Sequence, residues 1–128
     1  WKHPGRCIHS DDMEKLYPEI MKSDLVVLAS PLSAGLPSWR IKALQDRLIP
    51  LIHPYIELRQ GECHHKKRYG RYPDIALLIE KESGTQDDDM GLLEELYRRF
   101  ALNVHCELRG TATIDMTNEE IYHEMCTA

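Results

Sequence analysis

Three stretches of this 128-residue chain carry side chains whose types and spacing could do chemistry. The first, Cys63-His64-His65-Lys66-Lys67-Arg68-Tyr69, mixes possible metal ligands with a basic run. A structural zinc site needs spacings such as Cys-x-x-Cys or His-x-x-x-His, so that ligands converge on a tetrahedron. Neither occurs there, which leaves a metal module on Cys63, His64 and His65 without support. A solvated surface loop is the plainer reading, and contact with a nucleotide phosphate the chemical alternative. The second, Asp87-Asp88-Asp89, is better explained by a helix N-terminus, where the dipole favours acid, than by metal binding. The third, Ser30-Pro31-Leu32-Ser33-Ala34-Gly35-Leu36, holds no acid or base. Its small residues would let a flat ring approach the backbone, with Leu32 and Leu36 placed to cover a ring face. By composition alone it reads first as an ordinary strand-to-helix turn.

The elements that must position these stretches follow from hydrophobic spacing. Leu25 to Ala29 is an unbroken apolar run, which suits a strand buried on both faces, stopped by Ser30 and Pro31. Ile41, Leu44 and Leu48 predict a helix over 38–49, ended by Pro50 and Pro54. Upstream, residues 1–10 read as loop. Asp11 and Glu14 form a capping box before Met13, Leu16, Tyr17, Ile20 and Met21, and Pro18 should kink or restart that helix. Residues 53–72 are the least regular part. Asp74 to Lys81 predicts a second buried strand, and the polar loop 82–86 at its carboxyl end is a second candidate ligand loop. Met90, Leu93, Leu96, Tyr97 and Phe100 make the buried stripe of a helix over 88–102, with Asn103 as its C-cap. Val104, Cys106 and Leu108 then alternate as in a strand, and a Thr117–Glu120 capping box opens a last helix over 118–126. This order predicts an α/β fold with a parallel sheet, in which ligands bind beyond the carboxyl ends of the strands.

Bulk properties suit one domain over residues 1–128. Hydrophobic residues at 42% and charged residues at 29% are ordinary for a globular protein. A net charge of −5 argues against nucleic acid as partner. No apolar run approaches the roughly 20 residues of a membrane span. Cys7, Cys63, Cys106 and Cys126 are scattered without a disulfide-rich spacing, so a reduced cytoplasmic protein is expected.

Ser30-Pro31, Gly35, Lys42 and Asp46-Arg47 follow Asp11-Asp12-Met13 and Asp24 in a fixed order. In that order and spacing the chain resembles the NADPH-dependent FMN reductase and iron–sulfur flavoprotein group of flavodoxin-like proteins. Trp1, Pro4, Gly5 and Cys7 resemble a segment interior to that domain, and the resemblance covers most of residues 1–110. It implies a flavodoxin-like three-layer α/β/α domain that is N-terminally incomplete, without the first strand and the phosphate-binding loop. It further implies an enzyme, an NAD(P)H-dependent FMN reductase-like oxidoreductase. Electrons would pass from the nicotinamide through FMN to a small-molecule or protein acceptor. Ser30, Pro31, Leu32, Ser33, Ala34, Gly35 and Leu36 would flank the flavin on one side, with Ser83 and Gly84 on another. Lys42 and Asp46-Arg47 would be scaffolding. Ser33 stands where the family usually carries Tyr, which removes a stacking partner. An iron–sulfur cluster needs four thiolates. Only Cys7 is a candidate here, so a cluster requires upstream cysteines in a longer parent. Strand 25–29 would present an exposed edge, from which a homo-oligomer is expected. The alternative is a flavodoxin-like domain without flavin, acting in assembly.

Overall fold

The computed structural model describes residue 3 and residues 5–127, with the side chain of Asp87 left aside; Trp1 and Pro4 of the resembling N-terminal pattern lie outside the described residues. Its elements run α1 (Met13–Lys22), β1 (Leu25–Ser33), β2 (Leu36–Pro37), α2 (Trp39–Asp46), a 3-10 turn (Ile49–Leu51), β3 (Ile52–Arg59), β4 (Glu62–Lys67), β5 (Asp74–Lys81), α3 (Asp87–Val104), β6 (Leu108–Thr113) and α4 (Asn118–Cys126). The main sheet has the order β2-β1-β5-β6. β1, β5 and β6 are parallel, and only the two-residue β2 runs against β1. This α/β arrangement is consistent with a flavodoxin-like fold.

Side chains alternate across the sheet, and that alternation builds two unequal cores. Leu28, Leu32, Ile75, Leu77 and Ile79 point to one face and pack with Leu93, Tyr97 and Ala101 of α3, all of them buried. Each fully buried side chain of this size contributes about 1.5–3 kcal/mol relative to exposure. Ala76 and Ala112 point to the other face, where Met125 of α4 covers them. α4 approaches so closely at Gly110 that a Cβ there would run into the Glu124 carbonyl. The outward face of β1 has less cover: Val27, Ala29 and Pro31 are exposed.

Several expectations are corrected. Residues 53–72 are more regular than expected, and Cys63 to Lys67 are strand rather than surface loop: β3 and β4 pair antiparallel as a hairpin, with Ile56 opposite His65 and Leu58 opposite Cys63. Its polarity is inverted, which hides it from pattern reading. His64 is buried and Glu62 half-buried on the face toward α3, while Ile56 and Leu58 face outward at 52% and 76% exposure. α1 runs unbroken through Pro18, an exposed position where the missing N–H leaves only a solvent-facing gap. No Asp11–Glu14 capping box forms. Asp11 instead accepts the Met13 N–H at 2.9 Å, and Glu14 pairs with Arg6. The last strand is displaced to 108–113, because α3 continues to Val104 and ends on His105 rather than Asn103. His105 takes the left-handed conformation at φ 63°, and the Cys106 N–H returns to the Ala101 carbonyl at 3.0 Å. The Thr117–Glu120 capping box and helix 118–126 are as expected.

Candidate functional site

The carboxyl ends of β1 and β5 carry both sequence-predicted loops. Ser30 is buried, and its hydroxyl accepts the Ser38 N–H at 2.8 Å while donating to the Pro31 carbonyl at 2.8 Å. One side chain thus fastens the strand end to the start of α2. β1 does not stop at Pro31 but runs on to Ser33, which pairs with Leu36 across a two-residue turn. Ala34 and Gly35 both have positive φ, 51° and 72°, as hairpin turns that follow the strand twist require. Ala34 accepts the cost of that conformation, and Gly35 avoids it.

Gly35 is also where the first loop meets the start of α3. A Cβ there would lie 3.1 Å from an Asp89 carboxylate oxygen. The other Asp89 oxygen accepts the Gln86 N–H at 2.9 Å, part of the reciprocal cap that opens α3. Ser83 and Gly84 stand exposed before that cap, and Gly84 has φ 101° with open space around it. Both loops follow the paired carboxyl ends of β1 and β5, and there the ledge has exposed Ser33, Ala34, Leu36, Ser83 and Gly84. Beside it, Ala29, Ser30, Pro31, Leu78, Glu80 and Ile114 line a shallow groove. Leu32 is a correction: it is fully buried in the main core, because β1 continues through it with its side chain turned inward. Only Leu36, 56% exposed, is free to cover a ring.

Arg47 has a structural place. It grips both Asp11 carboxylate oxygens, and its Nη2 lies 3.7 Å from the Cys7 sulfur. The Arg47 guanidinium holds the Asp11 carboxyl down at about 2, and its own pKa is raised in return. Tyr17 donates to the Arg47 carbonyl at 2.7 Å. Lys42 pairs with Asp46 on the exposed side of α2. These contacts tie residues 7–17 to the end of α2.

The basic run lies at the other end of the sheet. β4 leads into the amino end of β5, so Cys63 to Tyr69 do not converge with the ledge. Arg68 donates to the Ile52 carbonyl, and Tyr72 both receives the Arg68 N–H at 2.9 Å and donates to the Leu51 carbonyl at 2.7 Å. Arg71 pairs with Asp24, and Arg109 with Asp74 at 2.7 Å. His105, which pattern reading placed in a strand, is the organiser here. Its Nε2 donates to the His65 carbonyl and its Nδ1 receives Arg59 at 2.9 Å. Burial pushes the imidazole pKa below its ordinary value, and the Arg59 charge pushes the same way. Among the described residues no group of three or more His, Cys, Asp or Glu could hold a metal ion. No described helix is long and apolar enough to cross a membrane.

The ledge fits one part of a flavin and not another. Small residues and exposed backbone suit a flat ring. A phosphate would need free N–H groups or cations. The Ser38 N–H at the start of α2 is already taken by Ser30, and α3 opens with Asp88 and Asp89. The described residues at the ledge supply no cradle for that charge.

No protein-family model and no solved structure matches the chain. Among curated proteins, an iron–sulfur flavoprotein of Methanocaldococcus jannaschii is 39% identical over 41 residues, which cover 32% of this chain and 21% of the relative. The matched part thus spans about a fifth of that relative's length.

Proposed function

We propose that this chain carries the ring-binding part of a flavodoxin-like FMN oxidoreductase. It would take reducing equivalents from NAD(P)H and deliver them to a small-molecule or protein acceptor. The observation that carries the reading is the junction at Gly35. There, the loop after β1 meets the start of α3 at the carboxyl ends of the parallel strands β1 and β5, and small residues and backbone are presented. Ligands of open α/β sheets gather at that place. The partial similarity to an iron–sulfur flavoprotein supports the same reading.

FMN, when bound, supplies the ability to accept a hydride and release electrons. The chain's own residues have the simpler tasks of holding and shielding. Ser30 fixes the loop through its bond to Ser38. Ser33, Ala34 and Gly35 give the ring close access to backbone, Leu36 covers one face, and Ser83 and Gly84 border another side. Pro31 and Leu32 act through the backbone that leads into the turn. The phosphate is to be held by residues other than those at the ledge. An iron–sulfur cluster would need thiolates beyond Cys7, from upstream cysteines in a longer parent.

The test is a visible absorption spectrum followed by titration of FMN fluorescence. Saturable quenching, weakened at least fivefold by Leu36→Asp, is expected. Quenching that ignores Leu36→Asp, or none at all, would sink the proposal. The acidic start of α3 favours a second reading, a flavodoxin-like domain without flavin acting in assembly. In that case riboflavin and FMN would both fail to quench.

A further inference from the structure

Beside the ledge, α2 opens with two side chains that ring binding leaves unused, Trp39 and then Arg40. Trp39 is 74% exposed, more than Leu36 in the loop before it. Tryptophan is well buried on average, so a solvent-facing indole is informative. The phase of the helix accounts for it. Ile41 and Leu44 pack on the main core, and at roughly 100° per residue Trp39 lies on the opposite side of α2 from Ile41. The position is therefore turned outward by α2 itself and not by an uncovered strand edge. Helix side chains also lean toward the amino end. That end of α2 is held at the end of β1, where the Ser38 N–H donates to the Ser30 hydroxyl at 2.8 Å. The indole is thus carried toward the level of the ledge.

Arg40 stacks on this indole, with its guanidinium carbon 5.6 Å from the ring centroid. It has no carboxylate partner among the described residues. The acid of α2, Asp46, is taken by Lys42, and nothing charged lies between Asp24 and Arg40. A flat apolar face beside an unpaired guanidinium suits a flat heterocycle that carries a phosphate close by. Stacking accepts any base, and Arg matches phosphate oxygens.

Spacing selects among such ligands. Two adjacent residues in contact can reach a base and a phosphate separated by a single ribose, whereas in FMN the whole ribityl chain lies between ring and phosphate. We propose that Trp39 and Arg40 dock the adenosine end of the nicotinamide donor, with the indole stacking on adenine and the guanidinium pairing with a phosphate on the same ribose. Naming the donor rests on the oxidoreductase reading given above. The labour is then divided: the loop holds the flavin ring, and α2 fixes the donor beside it.

Trp39 can report on its own ligand. Trp1 is the other of the two tryptophans, so Trp1→Phe leaves Trp39 as the sole source of indole emission. In that background 2′,5′-ADP and 5′-ADP are titrated without flavin, against adenosine, with calorimetry as a second readout. The expected result is saturable quenching by an adenosine diphosphate, at least fivefold tighter than by adenosine. If 2′,5′-ADP binds ahead of 5′-ADP, the 2′-phosphate is the partner of Arg40; the reverse order makes it the 5′-diphosphate, and either supports the pair. Arg40→Gln should bring both diphosphates down to the level of adenosine. Trp39→Ala should abolish the calorimetric signal, and Trp39→Tyr should restore most of it. Both positions are exposed, so the circular dichroism spectrum should not change. No binding at millimolar nucleotide would overturn the proposal, as would equal affinity for adenosine and the diphosphates. So would an Arg40→Gln variant that loses affinity for FMN but not for ADP. FMN titration of the same protein is read separately, so failure of the ledge is distinguishable from failure of this pair.

Discussion

The β5–β6 half of the sheet and the β1–β2 half use the same kind of strand but finish it differently. β5 has a strand on either side, α3 over one face and α4 over the other; Ala76, Leu77 and Ile79 are buried to 0–1% exposure. Among the described residues β1 has a full neighbour on one side only, and from Val27 on its side chains alternate between exposed and buried. The loop over residues 30–36 grows from the less covered half. Stability is thus concentrated in the strands that α3 and α4 enclose, and access in the strand beside them, a division expected where binding segments come from the less stable parts of a fold.

The contrast can be broken first at Gly110. Gly110→Ala drives a methyl into the Glu124 carbonyl, and backbone cannot swing aside as a side chain can. It should cost more than about 3 kcal/mol in urea unfolding and detach α4, exposing the alanine face of β5 and β6. Leu93→Ala, at a fully buried position of α3, should cost roughly 3 kcal/mol. Val27→Ala, a comparable truncation on the open half, should cost less than about 1 kcal/mol. Equal costs at Leu93 and Val27 would erase the distinction between the halves.

Acid should act on the closed half through His105. Its pKa in the folded protein lies below the ordinary 6.5, chiefly because of burial. Below pH 6.5 the unfolded chain takes up a proton that the folded imidazole resists, so stability falls as the pH drops. The folded ring has no place for that proton, since Nδ1 already receives Arg59. The urea midpoint should decline between pH 7.5 and 5.5. His105→Asn, which tolerates the left-handed backbone, should flatten that decline. A modest effect belongs to the ledge. Gly35→Ala should cost roughly 1 kcal/mol for its positive φ, with Asp89 shifting aside. Because it pushes on the junction of the first loop with α3, it should alter FMN quenching more than it alters unfolding.

What could be read from sequence follows the same division. β5, α3 and α4 were legible because burial imposes a period on their residues: Asp74 to Lys81 as a strand, and Thr117 with Glu120 as a cap. β6 was misplaced because, after Leu108, its run Arg109-Gly110-Thr111-Ala112-Thr113 lacks large apolar residues. Its small side chains answer to α4, a packing demand that only the tertiary structure reveals. The β3–β4 hairpin was missed because its polar face is the covered one, so its pattern reads as surface. At the ledge, small residues and turn chemistry in Ser30 to Leu36 were visible, but not the extension of β1 that buries Leu32. The meeting of Gly35 with Asp89 joins residues 54 positions apart, beyond the reach of local pattern.

The hairpin between α2 and β5 bears on how quickly the chain can assemble. Every β1–β5 pair, from Leu25 with Asp74 to Leu32 with Lys81, joins residues 49 positions apart. Parallel strands offer no local nucleus, so this pairing must await closure of a long loop. β3 and β4 lie inside that loop and are joined by a tight turn, and a hairpin forms in about 1–10 microseconds. Formed first, it removes about a third of the free chain and lowers the closure entropy by about 0.3 kcal/mol on logarithmic loop scaling. The larger gain is directional, since the hairpin delivers Tyr72 and Asp74 to the amino end of the sheet, where pairing with β1 begins.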